Sequence, residues 1–491
     1  MKTKIFYLIY GTICFAMSLF VACSNDSNEW NALVDRTEQS RSTTLEATIT
    51  LSEVGMLDAA LIEAVGEEDK YNVTKLTLSG PVNSNDIETL HQLINLEELD
   101  AKGMTWTWDE EPYNFMVRIW EGGSVDSVNE WLNDDKRISN YMFAGFKRLK
   151  KISLPNFATE IGYMAMGGCT ALEEIELPED LTSITYEAFG RTGIKELTIP
   201  SNVTYVSDGF CNYCNDLNAI YWDSSVNIPG CYDVENALVY VNNDEVIVSP
   251  SWKNVIRNGE AESIEIRAKD PWSGEDPYSF KAPKSFVAKN ISYTRYFNNW
   301  TSFGGNGGWE TIVLPFVPDS IYHETKGQIA PFNSGVETAK PFWLRSLTAT
   351  GFVDVTAISA NVPYIIAMPN NDRYHEEYRL NGWVTFMGTN VTIGQAVQNP
   401  VAVEGPDFSL QPTYEPVKQS NSIYSLNVRN GFGYENGSIF VRGGGDVRAF
   451  EAYAVIGGRS VKSLVEMDCS SDNTRTANET NKTGVPQIGD M

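Results

Sequence analysis

The sequence offers few side chains of the kinds that perform catalysis. Its 491 residues include three histidines, His91, His323 and His375, and these are far apart in the chain. None of them lies in a nucleophile elbow or in a zinc-binding helix motif. The 64 acidic residues make pairs of carboxylates inevitable, so such pairs do not indicate a glycosidase. We therefore predict a non-enzymatic protein with no catalytic residue and no cofactor.

The cysteines show one spacing that could bind a metal ion or form a redox pair. Cys211 and Cys214 are separated by two residues, as in many metal-binding and redox motifs. No second pair of cysteines or histidines follows at a spacing that would complete a zinc site, so we predict no metal site. The seven cysteines also do not make a disulfide framework. The sequence leaves open whether Cys211 pairs with Cys231.

An aromatic segment, residues 104–137, is the most unusual patch in the chain. Its rings, which lie among acidic residues, belong to Trp106, Trp108, Tyr113, Phe115, Trp120 and Trp131. Exposed rigid rings dominate binding hot spots and stack on sugars. The same rings could instead pack over an apolar edge left where a repeat is interrupted. Both interpretations stay open; under the first, Trp106, Trp108 and Trp120 are the anchors for a partner.

The stretch from residue 140 to 206 repeats itself at an interval of 23 residues. Leu149 and Ile152 return as Leu172 and Ile175, and the residue types around them return as well. Self-similarity at a period of about 20 to 50 residues is typical of repeat architectures, and here it indicates a solenoid in which stacked copies bury one continuous core. We predict that Leu172, Ile175 and Phe189 lie in this core.

Strand residues that point away from the core would line one face of the stack. In the copy LEEIELP (172–178) they include Glu174 and Glu176, and the matching positions of neighbouring copies carry lysine, serine and threonine. Such a face is polar and mixed in sign, which favours a weak, salt-sensitive contact with a protein. We name Glu174 and Glu176 as candidate partner-binding residues beside the three tryptophans.

The amino-terminal residues have the pattern of an export signal. Lys2 and Lys4 precede a nearly continuous apolar run over residues 5–22, and the segment FVAC ends at Cys23. A small residue before this cysteine resembles a bacterial lipobox, which implies cleavage after residue 22 and a lipid on Cys23. An ordinary cleaved signal and a single membrane-spanning helix are the alternatives.

The rest of the chain divides into a tether, two structured regions and a tail. Residues 23–43 are polar and are predicted to be a flexible tether. Residues 44–235 are predicted to form the repeat domain, interrupted by the insertion 104–137. Residues 236–465 alternate short β-branched and aromatic runs with Gly, Pro and Asn, which indicates a β-sandwich-like region. Residues 466–491 are predicted to be disordered, and the fold class is α+β or mostly β.

The repeated unit, with copies such as LEEIELP and ITYEAFG, resembles the BspA-like leucine-rich repeat of surface proteins from Bacteroides-type bacteria and spirochaetes. The match is specific over residues 138–222. Downstream segments such as GWETIVLPFVPDSI resemble the β-rich region that follows these repeats in Bacteroides surface lipoproteins. The resemblance implies a lipoprotein exposed on the cell outer membrane that takes part in adhesion to host or bacterial proteins.

The charge of the chain narrows the class of partner. A formal net charge of −27 repels nucleic acid and anionic membranes, so we predict no nucleic-acid partner and a membrane attachment through the lipid alone. The predicted function is a surface-anchored binding or adhesion lipoprotein whose repeat face contacts a protein. The alternative is a carbohydrate-binding surface lipoprotein of a glycan uptake system, with the sugar site in the β-rich half.

Overall fold

A computed structural model describes residues 44–119, 123, 125–133, 136–234, 236–268, 279–301, 307–394, 401–427 and 436–456, together with the backbone of 464–466. The chain divides into two units, residues 1–46 and 47–491, and the second holds nearly everything that is described. The predicted signal, Cys23 and the tether lie outside the described residues, as does the predicted tail beyond residue 466. Within the described residues, strands are far more frequent than helices, as the mostly-β prediction requires.

Up to residue 222, the described residues form short strands and two α-helices. They are β1 (Glu46–Thr50), α1 (Leu57–Val65), β2 (Lys75–Pro81), α2 (Ser84–Leu90), β3 (Glu98–Thr105), β4 (Tyr113–Val117), β5 (Asp126–Glu130), β6 (Arg137–Ile138), β7 (Lys151–Ser153), β8 (Glu160–Ile161), β9 (Glu174–Glu176), β10 (Ser183–Ile184), β11 (Glu196–Ile199), β12 (Tyr205–Val206) and β13 (Ala219–Trp222). A 3-10 turn covers Lys70–Asn72.

The remaining strands belong to the β-rich half. They are β14 (Leu238–Val241), β15 (Asn254–Arg257), β16 (Glu260–Arg267), β17 (Phe286–Phe297), β18 (Glu310–Ile312), β19 (Ser320–His323), β20 (Gly327–Pro331), β21 (Lys340–Thr348), β22 (Gly351–Asp354), β23 (Tyr364–Ala367), β24 (Gly382–Ile393), β25 (Val403–Glu404), β26 (Ser409–Thr413), β27 (Tyr424–Leu426), β28 (Ile439–Arg442), β29 (Glu451–Val455) and β30 (Leu464–Glu466). A 3-10 turn covers Glu376–Tyr378.

A polar cap closes the amino-terminal end of the repeats. The Asn83 side chain accepts a hydrogen bond from the Asp86 backbone, and the Asp86 carboxylate accepts one from the Asn83 backbone, which begins α2 with a capping box. The same carboxylate accepts hydrogen bonds from the backbone N–H groups of Gly55 and Leu57, at 2.6 and 2.8 Å. A single buried aspartate therefore fixes the start of both helices.

The repeats build two separate sheets, and two of the copies contribute a strand to each, β7 with β8 and β9 with β10. Strands β1, β2, β3, β7 and β9 form the first sheet, and β12, β10, β8 and β6 form the second. Leu76 is paired with Leu99, and Ile152 with Ile175, so the 23-residue spacing of the sequence is also the register of the first sheet. Leu99 is paired with Ile152 across the insertion. Between the two sheets the chain buries Leu172 and Phe189, as predicted.

Buried cysteines fill one position of the repeat. The Cys169 thiol donates a hydrogen bond to the Phe143 carbonyl at 3.0 Å, and the Cys214 thiol donates one to the Phe189 carbonyl at the same distance. A small, weakly polar side chain suits this slot because it fills little space and still satisfies a buried carbonyl.

The first sheet ends at β9, and this corrects one core prediction. The next strand of the same series, β11, belongs to a different sheet. Ile152, which has a paired strand on both sides, is fully buried, whereas Ile175 on the last strand is only half-buried. The copy that follows is one residue shorter, with Leu197 22 residues after Ile175.

The β-rich half is built on a 13-stranded sheet that starts within the repeats. Its strands follow the order β11, β13, β14, β15, β16, β17, β24, β19, β20, β21, β23 and β18, with β22 beside β21. A second, six-stranded sheet contains β25 to β30. Side chains of both sheets, among them Trp343 and Leu410, share one apolar cluster. The prediction of a β-rich second half is met, and the β-sandwich itself stays a prediction.

A buried ion cluster links the two sheets. Arg295 of β17 contacts the carboxylates of Glu310 at 2.6 Å and Glu451 at 3.0 Å, and donates to the Thr311 carbonyl at 2.8 Å. Burial raises the pKa of Glu310, while the two carboxylates hold the pKa of Arg295 above its ordinary value despite burial. The guanidinium therefore stays charged, and its removal would leave two largely buried acids without their nearest counter-ion.

Candidate interaction surface

The outward face of the first sheet carries a ladder of ion pairs between neighbouring repeats. We call the outward side chains of β2, β3, β7 and β9 the strand face. The Lys75 ammonium lies 2.9 Å from the Glu98 carboxylate, and the Lys151 ammonium lies 2.9 Å from that of Glu174. Because parallel register places one repeat directly beside the next, alternating signs at a single position become neighbouring opposite charges. Glu174 is thus exposed and already paired.

Glu176, the second predicted contact on this face, is held by two neighbours. The Lys102 ammonium lies 2.6 Å from its carboxylate, and the Ser153 hydroxyl donates to it at 3.0 Å. The Lys102 contact lowers the pKa of Glu176 and raises that of Lys102. A partner must therefore compete with intramolecular lysines for both acids, which makes a contact on this face weak and dependent on salt.

The face is closed at its carboxyl-terminal side. Ala219 and Leu238, on the outward side of β13 and β14, are buried in the same apolar cluster as Phe280 and Ala282. The Lys284 ammonium lies 4.1 Å from the centre of the Tyr221 ring. The segment around residues 280–284 therefore covers the outward side of β13 and β14, which lie downstream of the strand face.

The insertion forms an ordered hairpin that packs on the cap. Its strands β4 and β5 are antiparallel. Tyr113 is buried and its hydroxyl donates to the Asn140 carbonyl at 2.5 Å, while the Phe115 ring stacks on the His91 ring at a centroid distance of 3.5 Å. The Glu88 side chain of α2 accepts a hydrogen bond from the Asn114 backbone at 2.6 Å. These rings cover the edge of the stack, as the packing interpretation expects of them.

The tryptophans of the insertion divide into a buried one and exposed ones. Trp106 is 6% exposed, and its ring meets the Phe157 ring edge-on at 4.5 Å, so it packs inside. Trp108 and Trp131 are 56% and 45% exposed. Their chain neighbours meet, since the Asp109 N–H donates to the Leu132 carbonyl at 3.4 Å. Trp120 lies outside the described residues.

Sequence reasoning did not select Trp131 as an anchor, and it treated Trp106 and Trp108 alike. If β3 continued through them, Trp106 and Trp108 would lie on the same side of the strand, because side chains two residues apart share one face. The strand β3 ends at Thr105, however, so the alternation that would have placed them together does not reach them. We name the exposed rings of Trp108 and Trp131 the tryptophan patch.

The three histidines lie in different surroundings. The His91 ring lies between Phe115 and Phe146, and burial lowers its pKa to about 4. His323 is buried, which lowers its pKa, and a ring nitrogen lies 3.1 Å from the Asn381 carbonyl. His375 is exposed in a turn. Among the described residues, no group of three or more His, Cys, Asp or Glu side chains is arranged to bind a metal ion.

One family model matches the repeats directly. Residues 130–233 match the BspA type leucine rich repeat region, in six copies. The matched segment begins inside the insertion hairpin and ends just before β14. No curated protein matches the chain at a significant level. No helix in the described part of the chain has the length and apolar character needed to cross a membrane.

Several solved structures are similar to parts of the chain. A leucine-rich repeat protein from Eubacterium ventriosum is 16% identical, over 40% of this chain and 51% of that chain, with a TM-score of 0.23. The pneumococcal vaccine antigen PcpA is 19% identical, over 38% and 60%, with a TM-score of 0.22. A leucine rich cell surface protein from Faecalibacterium prausnitzii is 14% identical, over 40% and 67%, with a TM-score of 0.21. The chain thus spans about half to three fifths of the first two relatives.

Proposed function

We propose that this protein is a non-enzymatic binding or adhesion protein of the bacterial surface, and that its repeats form a solenoid whose strand face contacts a protein partner. The observation that carries the proposal is the tryptophan patch. Two large apolar rings are exposed, Trp108 between β3 and β4 and Trp131 directly after β5, and rings of this kind are the usual anchors of protein interfaces.

The patch and the strand face have complementary roles in this proposal. Trp108 and Trp131 supply the apolar contact that the strand face lacks, and Trp131 takes the place of the buried Trp106 as an anchor. Trp120 lies outside the described residues and stays a candidate. Glu174 and Glu176 lie on the strand face, and each is paired with a lysine of this chain. A basic side chain of the partner could displace that lysine and form the ion pair in its place. The partner we expect is therefore a protein with an apolar anchor site and a basic surface around it.

A binding experiment with matched variants tests this. The chain without residues 1–22 is immobilised and probed with a panel of host and bacterial surface proteins and with a glycan array. For a protein ligand, replacing both Trp108 and Trp131 by Ala is expected to weaken binding at least about 30-fold, the equivalent of about 2 kcal/mol. Trp300, which is 54% exposed in the β-rich half, provides the control: Trp300→Ala is expected to leave binding unchanged.

The outcomes separate the proposal from its alternative. Binding that survives the double substitution but falls in Trp300→Ala would refute the patch. Glycan binding that depends on residues 236–465 would favour the carbohydrate-binding lipoprotein instead. A thermal melt of each variant accompanies the measurement, and a loss of binding that follows a loss of stability would assign the rings to packing.

We further propose that the protein is a lipoprotein of the cell outer membrane, attached through Cys23. The lipobox-like end of the apolar run supports this proposal. One acyl chain alone anchors weakly, so stable attachment needs the several chains that a lipidated bacterial cysteine carries. Cys23→Ser is expected to release the protein from the membrane fraction. A variant that stays membrane-bound and uncleaved would indicate a spanning helix.

A further inference from the structure

Two cysteines of adjacent coils face each other at the end of the matched repeats. The sulfur of Cys211 lies 3.2 Å from the sulfur of Cys231, and both side chains are buried. Both are free thiols in this structure. Cys231 lies near the carboxyl end of the matched repeats, where the regular copies give way to the β-rich half.

The backbone on either side of the pair fixes this approach. The Gly209 N–H donates to the Gly230 carbonyl at 2.6 Å, and the Tyr213 N–H donates to the Tyr232 carbonyl at 2.8 Å. These bonds flank the cysteines and hold their two segments side by side. The contact between the sulfurs is therefore set by the register of the coils.

The other described cysteines behave differently. Cys169 and Cys214 each donate the thiol hydrogen to a buried carbonyl one coil away. The Cys211 thiol is directed at the sulfur of Cys231, which is a weak acceptor. A hydrogen bond to sulfur satisfies a buried thiol poorly, whereas a covalent bond between the same atoms leaves no polar hydrogen to satisfy.

We propose that Cys211 and Cys231 form a disulfide that covalently joins the last two coils of the matched repeats. The bond length of a disulfide is about 2.05 Å, so the sulfurs must approach by about 1.2 Å, which small rotations of the two side chains can supply. The two thiols lose two protons and two electrons. A disulfide-bearing oxidant accepts them by thiol–disulfide exchange and is reduced to two thiols.

Burial determines when this bond can form and how long it lasts. The attacking species in exchange is the thiolate, and burial raises the pKa of the Cys211 thiol well above its ordinary value. Exchange in the folded chain is therefore slow in both directions. We expect the bond to form while the segments are still open during folding, and to resist reductants afterwards.

The test refolds the reduced full chain in a mixture of reduced and oxidised glutathione, then blocks the remaining thiols by alkylation in denaturant, which exposes the buried sulfurs. Trypsin has no site between Lys195 and Lys253, so the unreduced protein is digested with chymotrypsin, which cuts after Tyr213 and Trp222. The cysteines at 211, 214 and 231 then lie on separate peptides, and mass spectrometry shows which are linked.

We expect one linked pair, 211 with 231, at a mass about 2 Da below the sum of the free peptides, with Cys169 and Cys214 alkylated. Cys214→Ser is expected to form the same link, and Cys231→Ser is expected to leave Cys211 alkylated. Alkylation of both cysteines in the refolded wild type, or a link from Cys211 to Cys214, would overturn the proposal. If Cys231→Ser does not fold, the linked peptides of the wild type and of Cys214→Ser still show whether Cys211 is bonded to Cys231.

Discussion

His91 is expected to make the fold sensitive to mild acid. Its ring lies between two phenylalanine rings, and its Nε2 atom is 3.0 Å from the Met142 carbonyl. Burial lowers the pKa of the ring from 6.5 to about 4. A protonated ring would bring a charge between apolar neighbours, so the folded chain binds this proton less readily than the unfolded chain does.

The sign and the size of the effect follow from these two pKa values. Between pH 6.5 and pH 4 the unfolded chain holds a proton on this ring that the folded chain lacks, so the free energy of unfolding falls as the pH falls. Each pKa unit corresponds to about 1.4 kcal/mol, which gives about 3 kcal/mol at full effect. At pH 5 the loss relative to pH 7.5 is about 2 kcal/mol.

The comparison that isolates this residue uses His91→Phe. Phenylalanine keeps an aromatic ring between Phe115 and Phe146 but cannot bind a proton. The loss of the hydrogen bond to the Met142 carbonyl costs about 1 kcal/mol at every pH and cancels in the comparison. Urea unfolding at pH 7.5 and pH 5 gives the free energy of unfolding of each variant.

Wild type is expected to lose about 2 kcal/mol more than His91→Phe between these two pH values. The acidic residues and His323 are common to both proteins and cancel. His375→Gln is the matched control, because His375 has 74% of its side chain exposed, and it is expected to follow the wild type. An equal pH dependence in wild type and His91→Phe would refute the reasoning.

Three further predictions concern the packing of the chain. Ile152→Ala should lower the free energy of unfolding by about 2–5 kcal/mol, because this side chain is fully buried. Ile175→Ala should lower it by clearly less, because Ile175 is half-buried on the last strand of the first sheet. Equal losses in chemical denaturation would contradict the end of the first sheet at β9. Arg295→Met should cost about 3–5 kcal/mol at pH 7 because two buried carboxylates lose their counter-ion. This loss should shrink as the pH is lowered, because burial raises the pKa of Glu310 and the acid then takes up a proton, and a pH-independent loss would count against it. Gly168→Ala should destabilise more than Gly66→Ala in thermal melts, since both have positive φ but only at Gly168 would the new Cβ lie 2.3 Å from the Ile119 carbonyl oxygen.

The register of the repeats could be predicted because the spacing of the apolar residues determines it. The 23-residue interval fixes which strand residues become neighbours, and Leu172 and Phe189 are buried as that interval requires. The end of the first sheet at Ile175 could not be predicted in the same way. The next copy is one residue shorter, and the sequence does not indicate whether the first sheet continues through that copy or ends before it.

The candidate surface was predicted in its chemistry more than in its detail. Mixed charge on the strand face follows from the repeat pattern, and so, once register is known, do ion pairs such as Lys151 with Glu174. The burial of Trp106 and the exposure of Trp108 depend on where β3 ends and on how the hairpin folds back. That is a long-range contact, and local periodicity carries no information about it.

The division of the ladder between β9 and β11 has a consequence for how the chain would carry mechanical load. Hydrogen bonds of a parallel sheet run roughly across the strands, which here is along the stack of repeats. Tension between the two ends of the stack therefore acts on each hydrogen-bonded strand pair in turn, and the weakest pair opens first. Four registered pairs join β13 to β14. β9 and β11 belong to different sheets, and the same point is spanned by the short pairing of β10 with β12, by turn contacts such as the Phe189 N–H with the Phe210 carbonyl at 2.9 Å, and by the ion pair of Lys195 with Glu173. We expect tension to open the stack first between β9 and β11. The hairpin with its tryptophans would then part from the last repeats, while those repeats stay attached to the β-rich half.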